Sequence, residues 1–176
     1  MPVVLDPDAA FVLNAFREAG RPAYETLTPP EARAFYLAGR VVSHPEPPEM
    51  ASVRNTTVPG PGGPIPVRIY RPKILRKTGD GAPAHVFFHG GGWVIGALDA
   101  HDAVCRTLAR DGETSVISVD YRLAPEHKFP AAVDDAIAAT KWISDNANSL
   151  GIDAQRISVG GDSAGGNLAT VMAILA

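Results

Sequence analysis

Three short apolar runs constrain this chain more than any other feature: HVFFHG (85–90), SVISVDY (115–121) and RISVGG (156–161). Each is nearly continuous and of strand length, the pattern of strands buried on both faces of a sheet. Helical periodicity fills the gaps. Asp99 is placed to cap a helix with Ala100, Ala103, Val104 and Leu108 on one face, stopped by Gly112. A longer helix, about 130–148, puts Val133, Ala136, Ile137, Thr140 and Ile143 inward and Asp134, Asp135 and Lys141 outward. Strand–helix–strand–helix–strand order implies an α/β fold, a mostly parallel sheet with flanking helices and right-handed crossovers.

The upstream third reads differently. Asp6 is an N-cap with Pro7 at the first helical position, followed by an apolar stripe of Val12, Ala15, Phe16 and Ala19 before Gly20. Thr28-Pro29-Pro30-Glu31 has the spacing of a capping box and opens a second helix. HPEPPEM (44–50) cannot continue it and reads as a linker. Ala51–Val58 and Ile65–Tyr70 are β-like runs joined by PGPGGP, a hairpin loop, and RKTGDGAP (76–83) is a polar loop. Two units follow: helices and linker over residues 1–50, and an α/β portion over 51–176.

Sixteen Lys and Arg against 19 Asp and Glu leave a charge of −3 over 176 residues, which gives no electrostatic footprint for nucleic acid. No run approaches the roughly 18 apolar residues of a membrane span. MPVVLDPDAA has no basic region and is not a signal peptide, and the single Cys105 fits a reducing compartment, so the expected localisation is cytoplasmic. Cys105 itself is expected to be a buried helical thiol. No His, Cys and Asp spacing matches a metal ligand set, and no cofactor is expected.

Two glycine-rich turns carry the chemistry. Gly161-Asp162-Ser163-Ala164-Gly165 is a G-x-S-x-G between a strand and an apolar helix. A tight strand-to-helix turn forces strained dihedrals on the serine, needs small flanking residues, and lifts the hydroxyl above the sheet. The Ala164 N–H and the helix dipole then face a developing oxyanion. A glycine-rich turn with a capping serine remains the simpler alternative. In the nucleophile reading, Ser163 points into a cavity.

The second turn is His89-Gly90-Gly91-Gly92-Trp93. Three consecutive glycines are costly in unfolded-state entropy, so bare backbone is required there. A phosphate cradle would want a following Lys-Ser/Thr, and Trp93-Val94-Ile95 follows instead. His89 reads as a structural residue that holds the loop through its ring. The two turns are expected to meet in space.

HGGGW at 89–93, DYRLAPEHKFPAAVDD at 120–135 and GGDSAGGNLA at 160–169 together resemble the hormone-sensitive-lipase-like family of α/β-hydrolase carboxylesterases. The resemblance runs from about residue 50 to the C-terminus and likens residues 1–50 to the family's cap helices. It implies Ser163 as nucleophile, with Gly91, Gly92 and Ala164 N–H groups as oxyanion donors. His89, Gly90, Gly161, Asp162 and Gly165 are motif support. Asp120, Glu126, Asp134 and Asp135 take structural or surface roles. The implied substrate is a small ester with a short- to medium-chain acyl group, and the full-length parent is implied to form a homodimer.

One departure is decisive. The family's acid and histidine follow the serine, yet AGGNLATVMAILA after Ser163 contains neither, and His44, His85, His101 and His127 all lie upstream. The expectation is the N-terminal half of an esterase with its C-terminal part missing, whether fragment or truncated gene product, and inactive alone. A non-catalytic ligand-binding protein on the same fold, like the gibberellin receptors, is the alternative.

Overall fold

The computed structural model describes residues 5–20, 22–43, 46–76 and 81–176. Helices α1 (Pro7–Glu18) and α2 (Pro29–Ser43) precede the hairpin β1 (Ser52–Val58) and β2 (Ile65–Arg71). Then come β3 (Ala82–Phe88), α3 (Asp102–Gly112), β4 (Ser115–Val119), α4 (Ala131–Asp145), α5 (Ala147–Leu150), β5 (Ile152–Gly161) and α6 (Ala164–Leu175).

The five strands form one mixed sheet in the order β1-β2-β4-β3-β5. β1 with β2 and β2 with β4 run antiparallel, whereas β3 is parallel to both β4 and β5. The period of two sorts the side chains. Val86, Phe88, Ile117 and Val119 join Ala136, Ala139, Ile143 and Leu168 in one core, while Phe87, Val116 and Tyr70 meet Cys105 and Ala109 on the opposite face. Burial in that second core pushes the Cys105 thiol up to about 12. Among the described residues no helix is long and apolar enough to cross a membrane.

Local chemistry sets the helix starts. Asp6 accepts the Asp8 N–H at 2.9 Å, and Glu31 reaches back to the Thr28 N–H at 2.8 Å, the returning half of a capping box. The α1 stripe does not pack as a core face: Val12, Ala15 and Ala19 are exposed. His44 and part of the expected 76–83 loop lie outside the described residues, and Ala82 and Pro83 belong to β3.

Two helix faces differ from expectation. In α4 the buried line is Ala132, Asp135, Ala136, Ala139 and Ile143, with Ile137 exposed. Asp135 faces inward because Arg122 meets it there, donating its backbone N–H at 3.0 Å and its guanidinium at 2.8 Å. That partner is 13 residues away, so the helix turns about one position from the purely apolar solution. In α3 the buried residues are Cys105 and Ala109, and Leu108 is exposed. Asp99 caps nothing. It opens a 3₁₀ turn and pairs with Arg68 at 2.7 Å.

Candidate active site

Both glycine-rich turns leave the sheet at the same end, because β3 and β5 are parallel neighbours with Phe88 opposite Gly161. Ser163 follows β5 directly and holds φ 51°, ψ −117°, a region that costs a non-glycine residue about 1–3 kcal/mol. Its side chain makes no capping hydrogen bond to α6, so the hydroxyl is not spent on the helix. The residue is exposed rather than enclosed.

Small residues around it are a steric necessity. A Cβ on Gly165 would fall on the Phe88 carbonyl, and one on Gly161 would strike the same oxygen. The first turn of α6 therefore lies directly against the end of β3.

The glycine loop is tied to this turn. The Gly90 N–H donates to Asp162 Oδ1 at 2.9 Å, and a Cβ on Gly90 would collide with that carboxylate. Gly91 and Gly92 take φ 124° and 60°, conformations that favour glycine. The Gly91 carbonyl accepts from Val94 and Ile95 N–H groups at 3.1 and 2.9 Å. Among the described residues, the N–H groups of Gly91 and Gly92 have no acceptor. Ala164 is the first helical residue of α6, so its N–H has no intrahelical partner.

His89 is fully buried, with Nδ1 2.9 Å from the Gly90 carbonyl and its ring stacked 4.4 Å from Tyr121. The Tyr121 hydroxyl donates to the His89 carbonyl at 2.6 Å. Burial pushes His89 toward its neutral form and raises Asp120, 3.8 Å from its Nε2, so the two do not form an ion pair near neutrality.

Beside the loop lies a pocket of about 440 Å³ walled by Gly92, Trp93, His127, Phe129, Val133 and Asn167. Trp93 adopts φ 59°, and Phe129 is largely exposed. The N-terminal helices reach this region through Arg33 of α2. Its guanidinium donates to the Val94 carbonyl at 2.8 Å, the Ala124 carbonyl at 2.9 Å and Glu126 at 2.6 Å. That hydrogen bond holds the Glu126 carboxyl down to about 2.

Sequence reasoning missed Arg33 and His101. Each acts through partners more than 60 residues away, and His101 matches no motif position. His101 is buried with Nε2 3.2 Å from Asp162 Oδ1.

Residues 85–176, just over half the chain, match a family model described as alpha/beta hydrolase fold. The chain belongs to the α/β-hydrolase family. Its motifs fit the hormone-sensitive-lipase-like esterases within it. It is similar to the carboxylic ester hydrolase LipN of Mycobacterium tuberculosis, 44% identical over 98% of this chain and 45% of the relative. An ethyl acetate hydrolase of Pseudomonas putida is 43% identical over 96% of this chain and 54% of its own length. An ester hydrolase from the metagenome of Lake Arreo, solved with a bipyridine phosphonate derivative, superposes with a TM-score of 0.88 at 43% identity, covering 98% of this chain and 55% of that one. The chain spans about half the length of the curated relatives it matches.

Proposed function

We propose that the protein is a serine carboxylic-ester hydrolase for short- to medium-chain acyl esters. The observation that carries this reading is the strained, uncapped Ser163 joined through Asp162 to a glycine loop with two unused N–H groups. Ser163 Oγ attacks the ester carbonyl carbon while its proton passes to a base. The carbonyl π pair moves onto oxygen, where the N–H groups of Gly91, Gly92 and Ala164 receive the negative charge. Collapse restores the carbonyl and expels the alcohol oxygen, which takes the proton back from the base, leaving an acyl-serine. Water repeats the sequence and releases the acid.

In the family's order the base is a histidine downstream of the serine. Residues 164–176 hold none. The pocket beside Gly92, with Trp93, Phe129 and Val133 in its wall, suits an uncharged ester group. Residues 1–50 act as a cap seated by Arg33, and residues 51–176 carry the hydrolase elements. The same resemblance supports a homodimer at full natural length.

The test is turnover of p-nitrophenyl acetate and butyrate by the protein at its full natural length. Ser163→Ala is expected to abolish turnover while stability changes by less than about 1 kcal/mol, since one exposed hydroxyl is lost. Turnover surviving at the original level would remove Ser163 from the mechanism.

A further inference from the structure

His101 has no place in the reaction just described, yet it is buried at the one carboxylate that joins the two turns. Asp162 Oδ1 accepts the Gly90 N–H at 2.9 Å and lies 3.2 Å from His101 Nε2, within ion-pair reach. The Asp162 side chain is itself 50% exposed. A carboxylate so placed can turn outward to water, and the Gly90 N–H alone would hold it by one hydrogen bond. The imidazole adds a second polar contact, from a buried ring packed among aromatic neighbours: His101 lies 5.9 Å from Phe87, 5.5 Å from His89 and 6.2 Å from Tyr36 of α2.

The remaining polar atoms at the root of the loop are committed as well. The His89 carbonyl takes the Tyr121 hydroxyl and the Gly90 carbonyl faces His89 Nδ1. A Cβ on Gly96 would strike the His89 ring, so the far side of the loop closes on it too. Everything up to Gly90 is fixed, and the free N–H groups begin at Gly91. The spacing between those groups and Ser163 therefore depends on where the Asp162 carboxylate sits.

We infer that His101 is a positioning residue: it locks Asp162 onto the Gly90 N–H and so sets the distance from the glycine loop to the nucleophile. This rests on the hydrolase reading above. It touches no substrate. Its effect is on the transition state, because an oxyanion donor displaced by a fraction of an ångström weakens charge stabilisation more than ester binding.

The experiment compares His101→Leu, His101→Gln and Asp162→Asn, reading Gly90 amide hydrogen exchange by NMR together with p-nitrophenyl acetate kinetics at full natural length. The glutamine amide can present an N–H near the position of Nε2; leucine cannot. His101→Leu is expected to speed Gly90 exchange about tenfold and to lower kcat about tenfold with KM changed less than about twofold, the loss of one hydrogen bond to a charged group. His101→Gln is expected to restore most of both. Adding Asp162→Asn to His101→Leu is expected to cost little more, because asparagine keeps the acceptor oxygen for the Gly90 N–H and loses only the charge that faced the imidazole. If leucine fails to fold, glutamine against asparagine at position 101 makes the same comparison. Glutamine as damaging as leucine, or Gly90 exchange unchanged in a folded leucine variant, overturns the inference. Exchange is read without any ester, so failure of the hydrolase reading, seen as Ser163-independent turnover, is told apart from failure of this one.

Discussion

At Ser163 the backbone and the chemistry pull in opposite directions. Its φ of 51° with ψ −117° is strained for any residue with a Cβ. Ser163→Gly relieves that strain, and the serine hydroxyl makes no capping bond that would be lost. Melting is therefore expected to show Ser163→Gly more stable by about 1 kcal/mol, with ester turnover gone. A destabilised glycine variant would mean that the turn is held without strain. This position was legible from the letters G-x-S-x-G because the strand before it and the helix after it allow few other turns. His101 was not legible. Nothing local marks a histidine in a 3₁₀ turn as the partner of a carboxylate 61 positions later.

Among the elements, α2 carries a titratable anchor. Arg33 holds Glu126 with its carboxyl well below the usual 4.5, at about 2. A carboxylate depressed on folding stabilises the folded arrangement above its ordinary pKa, and that support is lost as pH falls through the folded value. The docking of α2 is thus expected to weaken between about pH 4.5 and pH 2, and not at alkaline pH. It is weakened rather than abolished, because the Val94 and Ala124 carbonyls that Arg33 also binds do not titrate. Hydrogen exchange of α2 amides, referred to the unfolded chain at each pH, checks this. Arg33→Met is expected to remove the part of the pH dependence that comes from Glu126 and to leave that of the Glu31 cap, which Thr28 likewise holds below its usual range. The strands and the hairpin were legible because apolar runs and turn residues are local signals, whereas the sheet order β1-β2-β4-β3-β5 rests on pairings between distant segments. The rotation of α4 was not, since Asp135 is polar by composition and becomes a core residue only through Arg122.

For the molecule as a whole, β5 is one of the two outer strands of the five, and Ile174 and Leu175 of α6 are exposed. Such an edge beside an apolar helix end favours association. Residues 1–176 alone are expected to associate in light scattering and to turn over esters at least roughly 10⁴-fold below typical esterases, since no group in 164–176 can deprotonate Ser163. A monodisperse monomer with serine-dependent turnover at esterase rates would refute both. The pairing of β3 with β5 also sets a schedule. About 60 residues separate Phe88 from Ile152, and synthesis at roughly 5–20 residues per second takes some 3–12 s to make them. Once β4 (Ser115–Val119) has been made, about halfway through, the strand that ends in the glycine loop has β4 on one side and a bare edge on the other. Ser163 is made after Gly91 and Gly92, so on the ribosome two of the three groups that receive negative charge exist before the hydroxyl that generates it.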